Sequence, residues 1–288
     1  MTSSAKGDAD RHCLAARFVD GPHVSAADKA EQRLTDWLTD LAAEQAAAIG
    51  DLVVRFPRAR TILLGIAEAS PYLFDLVRAD AGRAIRLLEC EPESHLTRLI
   101  ETTCREVAAA PNEADAMQRL RRMKSEAALL IALCDIGGVW PVMQVTAALT
   151  ELAVGAVQSA LRHLLRQEAA RGRLSPPSLD TPEDNSGLIV LAMGKMGAGE
   201  LNYSSDIDLI VFFDPAAPTL RLISNRSRSS CASRKAWRGW CSSAPAMVTC
   251  FASICGCVRI RPRPRWRSRP KRRCIITSGK GGPGSAPP

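Results

Sequence analysis

Two short apolar runs, joined by a glycine-rich stretch that leads to a pair of aspartates, constrain this chain more than any other feature. The runs cover residues 188–193 and 207–213, and their length and composition are typical of β-strands. Asp208 is the second residue of the second run, and Asp206 lies just before it. Because residues two apart in an extended strand point to the same face, both carboxylates can be aimed at one site.

This arrangement predicts a site for a metal ion and a nucleotide. Mg²⁺ takes oxygen ligands and uses one or two carboxylates together with substrate phosphates. Glycines allow backbone amides to approach phosphates closely. A Gly-x-x-Gly motif alone usually forms only a bend, and an Asp-x-Asp motif alone usually lies at a strand end or in a turn. The two motifs together, between two strands, favour a nucleotide site. The glycine spacing fits neither the P-loop nor the dinucleotide-binding pattern. The candidate nucleotide-binding residues are Gly194, Lys195, Gly197, Gly199, Ser204 and Ser205.

The stretch from Gly194 to Ile210 resembles the signature of a known family. It reads Gly-Lys-Met-Gly-x-x-Glu-Leu-Asn-x-Ser-Ser-Asp-Ile-Asp-Leu-Ile. This is similar to the bifunctional glutamine synthetase adenylyltransferase/adenylyl-removing enzymes, which are polymerase-beta-like nucleotidyltransferases with two such domains in tandem. The residue pattern Leu-Asn-x-Ser-Ser-Asp-Ile-Asp is more similar to that of the first, adenylyl-removing half. Residues 117–138 and 145–150 are similar to the segments that precede the first domain in this family. The resemblance covers residues 25–215.

The resemblance implies a reaction and a set of partners. In this family the adenylyl-removing half uses inorganic phosphate to remove AMP from a modified tyrosine of glutamine synthetase and releases ADP. The second half transfers AMP from ATP to that tyrosine. It implies that Asp206 and Asp208 are catalytic and hold Mg²⁺, that the glycine turn and Ser205 hold phosphates, and that Lys195 is an accessory cation. The implied partners are adenylylated glutamine synthetase, ATP or ADP, phosphate and the PII signalling protein as regulator, with no membrane and no specific nucleic acid.

The composition changes abruptly after residue 217. Residues 218–288 contain 16 basic residues, no acidic residue and six of the ten cysteines, and no amphipathic period continues there. Such a tail is also the pattern of a nucleic-acid-binding arm or a zinc site. Cys255 and Cys257, however, lack the paired cysteine or histidine partners that a structural zinc site needs.

A change of reading frame is the interpretation we favour for this tail. If each triplet is read from the third base of one codon and the first two of the next, residues 247–261 permit Gly-Tyr-Val-Phe-Arg-Val-Asp-Leu-Arg-Leu-Arg-Pro-Asp-Pro. That string resembles the family motif with the third catalytic carboxylate, and residues 274–285 permit a second family-like string in the same register. The shift would lie between residues 215 and 234. The third carboxylate is then missing from the chain, for which we predict little or no turnover.

The remaining sequence predicts an α+β chain with a large helical region. Apolar residues recur at helix spacing over 27–49, Ser70-Pro71 is typical of a helix start, and further helices are predicted at 81–90, 93–109, 113–135 and 139–171. We predict a flexible N-terminus at 1–24, a helical region at 25–171, a linker at 172–186, the start of a truncated polymerase-beta-like α/β domain at 187–217 and a disordered basic tail at 218–288.

The chain contains ten cysteines and has neither a signal peptide nor an uninterrupted apolar run of ~18 residues. This combination predicts a cytoplasmic protein. Two other functions stay open. One is a different nucleotidyltransferase of the same superfamily, acting on a small molecule or tRNA, and the other is a non-enzymatic nucleic-acid-binding protein that uses the basic tail.

Overall fold

The chain has an α+β fold in which a large helical region precedes a small sheet. The structure is a computed structural model that describes residues 12–172 and 174–213, together with the backbone of Val258–Ile260. The helices before the sheet are α1 Leu14–Arg17, α2 Ala27–Asp40, α3 Ala43–Arg55, α4 Pro57–Ala69, α5 Pro71–Ala79, α6 Ala81–Glu89, α7 Pro92–Ala108, α8 Glu113–Ile136 and α9 Val142–Ala170.

Several helix starts follow from local capping chemistry. The Ser70 side chain accepts a hydrogen bond from the Leu73 amide at 3.3 Å, and Pro71 occupies the first helical position of α5, which confirms the start predicted from this dipeptide. Asn112 caps α8 in the same way through the amide of Asp115 at 2.9 Å. These caps satisfy amides that have no partner inside the helix.

The predicted helix over 27–49 is two helices in the structure. The chain is extended at Leu41 (φ −81°, ψ 158°), so α2 ends at Asp40 and α3 begins at Ala43. Neither a glycine nor a proline marks the break. Both helices pack against α4, and the turn between them lets each bury its own apolar stripe, with Trp37 on α2 and Ile49 on α3. Helix α4 lies inside the predicted helical region 25–171, although no separate helix was predicted at its residues.

Residues 12–24 also differ from the expectation of a flexible N-terminus. Leu14 and Phe18 are fully buried, and the Leu14 amide donates to the Cys90 carbonyl at 2.8 Å. Arg17 forms an ion pair with Glu93. Apolar burial and a paired charge together hold this segment against the helical core.

The centre of the core lies among α7, α8 and α9, which pack against one another. Residues 127–134 of α8 are all apolar, and Leu129, Leu130 and Ile131 are completely buried. A helix of this kind has to be surrounded by other elements. Among the helices that the structure describes, none is long and apolar enough to cross a membrane.

The sheet has the order β1-β2-β3. Strands β1 Leu188–Ala192 and β2 Ile207–Phe213 confirm the two predicted strands and pair antiparallel, with Ile189 opposite Phe212. The short helix α10 Gly194–Ala198 lies between them, and β3 Val258–Ile260 pairs parallel with β2. Ile207 and Leu209 of β2 belong to the same apolar cluster as the helical core, so one face of the sheet is covered by the helical region.

The segment 174–187 carries no helix or strand and lies against α9. Arg162 pairs with Glu183, while Arg166 donates to the Leu179 carbonyl at 2.5 Å and to the Ala108 carbonyl at 2.9 Å. These contacts attach the predicted linker to the helical region. The predictions for the basic tail lie outside the described residues, except at β3, which forms a strand where disorder was expected.

Candidate nucleotide and metal site

The two aspartates lie at the start of β2, Asp206 just before the strand and Asp208 within it, and both are on its outer side. Asp206 and Asp208 are exposed, whereas the alternating residues Ile207 and Leu209 are each only 2% exposed. The alternation follows from the two-residue period of a strand whose inner face packs on the helices. The structure therefore brings both predicted carboxylates to one surface. That surface continues along the cross-strand pair Ile189 and Phe212, both of which are exposed.

The glycine stretch before the aspartates is a short helix with left-handed ends rather than an open turn. Gly194 (φ +55°) and Gly199 (φ +77°) flank its interior, and this backbone region favours glycine. A side chain at Gly197 would place its Cβ 2.5 Å from the Ala192 carbonyl oxygen. The amides of Gly197 and Gly199 donate to the carbonyls of Met193 and Met196, both at 3.2 Å, so these two glycines shape the turn.

The turn lies directly beside Asp208. The Met193 amide donates to the Asp208 carbonyl at 2.9 Å, which continues the pairing between the strands. A Cβ built on Gly194 would lie 4.0 Å from Oδ2 of Asp208. Because Gly194 has no side chain, a ligand bound by the Asp208 carboxylate would contact the backbone at residue 194. Lys195 is exposed, and no hydrogen bond or ion pair is made by its ammonium group with any residue that the structure describes.

Asn202 organises the two candidate serines, and the sequence analysis did not identify it. The side-chain Oδ1 of Asn202 accepts hydrogen bonds from the Ser205 hydroxyl at 2.6 Å and from the Ser204 backbone amide at 3.2 Å. The backbone amide of Asn202 donates to the Ser205 hydroxyl oxygen at 3.1 Å. An asparagine two residues before a serine, directly ahead of a strand, is a known turn-forming pattern and could have been the signal. Ser204 and Ser205 are thus held together at the start of β2.

Two contacts attach this loop to the helical region. The Leu201 amide donates to Oγ1 of Thr150 in α9 at 3.2 Å, and the Tyr203 hydroxyl donates to Oδ2 of Asp135 in α8 at 3.1 Å. Partial burial, with the Asp135 carboxylate beside it, raises the pKa of Tyr203, so the phenol remains a proton donor. The sequence carries no local signal for either contact, because the partners are far apart along the chain.

The donor set fits a magnesium ion that is shared with a nucleotide. Among residues 12–172 and 174–213, no group of three or more potential metal ligands comes together. Two exposed carboxylates on one face are nevertheless what Mg²⁺ uses when substrate phosphates supply further oxygens. Asp206 and Asp208 can hold such an ion, and the adjacent glycine backbone leaves room for the phosphates.

Comparison with known proteins agrees with this class of site. A family model described as glutamate-ammonia ligase adenylyltransferase matches residues 60–230, more than half of the chain. The chain belongs to this family of nucleotidyltransferases. No solved structure matches it.

Individual relatives of the chain within this family carry a more specific name. Two proteins from Bradyrhizobium sp., strains BTAi1 and ORS 278, are 68% and 69% identical to the chain over 221 residues. A protein from Rhodopseudomonas palustris strain HaA2 is 62% identical over 221 residues. All three are named bifunctional glutamine synthetase adenylyltransferase/adenylyl-removing enzyme, and the matched part is 76% of this chain but 22% of each relative. The chain thus spans less than a quarter of the length of these curated relatives.

Proposed function

We propose that residues 188–213 form the beginning of a nucleotidyltransferase site of the adenylyl-removing type. The observation that carries the proposal is the exposure of Asp206 and Asp208 on one side of the chain at the start of β2, with Gly194 next to the Asp208 carboxylate. Membership of the family supports it independently.

Each residue of the site has a proposed role. Asp206 and Asp208 hold Mg²⁺, which when bound neutralises charge on the reacting phosphate oxygens. The backbone at Gly194 and the hydroxyls of Ser204 and Ser205 bind phosphate, and Lys195 supplies a further positive charge. Gly197 and Gly199 act through the turn that they shape.

The activity that fits this site is phosphorolytic removal of AMP from a tyrosine of glutamine synthetase. The names of the relatives support glutamine synthetase as the protein substrate and adenylyl groups as the transferred unit. Inorganic phosphate, ATP or ADP, and the PII protein as regulator complete the proposed set of partners. We also propose a cytoplasmic location, because none of Cys13, Cys90, Cys104 and Cys134 forms a disulfide bond within the part of the chain that the structure describes, which is typical of a reducing compartment.

Metal binding to the chain as it exists tests the site without requiring turnover. Titration with Mn²⁺, followed by the electron paramagnetic resonance signal of the free ion, should give one site that D206N or D208N weakens at least about tenfold, since each removes a ligand. D51N, an exposed aspartate on α3, is the control for the loss of one charge. Unchanged binding in both site variants would refute the metal assignment.

We further propose that the segment beyond about residue 217 is read out of frame and that the chain as printed has little or no turnover. The family match ends at residue 230, inside the window of 215–234 that the composition indicates for the shift. The nucleotide sequence of the gene tests this. Stop codons in the alternative frame would make the basic tail genuine and favour a nucleic-acid-binding role.

A further inference from the structure

The loop that carries Asp206 depends on the helical region for its position. It leaves α10 at Gly199 and enters β2 at Ile207. Asp208 lies inside β2, where the hydrogen bond from the Met193 amide to its carbonyl fixes the backbone. Asp206 lies outside the strand, and its backbone makes no such bond with the residues that the structure describes. Its position is set by the turn before it, which Asn202 holds together.

A cavity of about 410 Å³ lies between this loop and the helical region. Leu201, Asn202, Tyr203 and Ser205 form one wall, and the opposite wall consists mainly of apolar side chains from α8 and α9. Side chains that line an open cavity make fewer packing contacts than side chains in a filled core. Directional contacts therefore contribute more to fixing this loop.

The contact at the middle of the loop is the hydrogen bond from Tyr203 to Asp135. The two residues are 68 positions apart in the chain, and the oxygen atoms are 3.1 Å apart. The Tyr203 side chain is 54% exposed, so burial alone does not lock its orientation. Asn202 makes hydrogen bonds to Ser204 and Ser205, which follow Tyr203 in the chain. A displacement of Tyr203 would therefore shift this turn and, with it, Asp206.

We propose that Tyr203 and Asp135 are positioning residues, whose hydrogen bond holds the turn from Asn202 to Asp206 so that Asp206 and Asp208 bind one metal ion together. This inference rests on the proposed function, because it concerns the same metal site. It adds a connection from the helical region to that site, and it assigns a role to the end of α8.

Removal of one oxygen atom tests the connection. Y203F keeps the ring and removes the hydrogen bond, and we expect Mn²⁺ affinity to fall about three- to tenfold, as a lost net hydrogen bond predicts. Y72F is the matched control, because Tyr72 lines the same cavity, is 55% exposed and makes no hydrogen bond with the described residues. Thermal unfolding of both variants is measured in parallel, and equal midpoints separate positioning from stability.

Substitutions of Asp135 provide a second route that does not depend on how Y203F folds. D135N keeps an oxygen acceptor for the phenol and should restore most of the affinity that D135A loses. The double variant Y203F/D135A should bind no more weakly than D135A alone, because both changes break one bond.

The possible outcomes distinguish the two proposals. If D206N and D208N weaken Mn²⁺ binding but Y203F and D135A bind like the unaltered chain, the positioning role is wrong and the metal site stands. If D206N and D208N leave binding unchanged, the proposed site itself is wrong, and the positioning role falls with it. Equal losses in D135N and D135A would assign the effect to the charge of Asp135 and overturn the hydrogen-bond proposal.

Discussion

Arg17 and Glu93 form a bidentate ion pair, in which Nη1 lies 2.6 Å from Oε2 and Nη2 lies 2.8 Å from Oε1. Trp140 donates its indole N–H to Oε1 of the same carboxylate at 2.7 Å. One carboxylate thus joins the N-terminal helix α1, the start of α7 and the connection between α8 and α9. These charge-assisted bonds, the one from Arg17 foremost, lower the pKa of Glu93 to about 2.

The first prediction concerns this carboxylate. E93Q should lower the free energy of unfolding at neutral pH by about 1 kcal/mol, a modest figure because solvent screens a half-exposed pair. Since the folded-state pKa is lowered, the stabilisation is present above the unfolded pKa of about 4.3 and disappears as the pH falls towards 2. The difference between the unaltered chain and E93Q, measured by urea unfolding, should therefore shrink over that range. E101Q, which changes an exposed glutamate on the same helix, is the control for the loss of one carboxylate.

The second prediction compares two glycines that lie within helices. G197A should destabilise the chain by about 1 to 3 kcal/mol, because the new Cβ would press on the Ala192 carbonyl oxygen at 2.5 Å. G50A in α3 meets nothing within 4 Å and should stabilise by roughly 0.5 to 1 kcal/mol, since alanine favours a helix over glycine. Urea midpoints measure both. A neutral G197A would show that the turn can move away from β1.

The third prediction concerns the segment 174–187. R166A removes the bonds to the Leu179 and Ala108 carbonyls, and thermolysin should then cut near the exposed Leu179 several times faster. R121A removes an exposed arginine of α8 that has no ion pair among the described residues, and it is the control for charge. If both variants are cut at the rate of the unaltered chain, the arginine contacts do not hold this segment in place.

The fourth prediction requires a version of the chain in which the reading frame is restored and the downstream sequence is present. D206N and D208N should each lower the phosphorolysis of adenylylated glutamine synthetase by orders of magnitude, with unchanged thermal stability, because each removes a metal ligand rather than a packing contact. Near-normal phosphorolysis in both variants would exclude these residues from the catalytic site. If the restored enzyme neither adds nor removes AMP on glutamine synthetase, another nucleotidyltransferase reaction becomes the better hypothesis.

Features that depend on residues a few positions apart could be predicted from the amino-acid sequence. The alternation of apolar residues and aspartates predicted β2 and the shared face of Asp206 and Asp208, because side chains of a strand alternate wherever the strand lies. The Ser70-Pro71 pair predicted the start of α5, since a cap bonds within its own turn. The membership of a nucleotidyltransferase family also followed from one continuous stretch, Gly194 to Ile210.

Contacts between groups far apart in the chain could not be predicted from local sequence and depend on the packing of the folded chain. The extended residue Leu41 divides one helical pattern into two because both halves pack on α4, and nothing in the local sequence marks that position. Asp135 meets Tyr203 across 68 residues, a pairing that depends on how the loop before β2 lies against α8. Local patterns report the conformation of a segment, whereas the partner of a side chain depends on the packing of the whole core, which no single segment encodes.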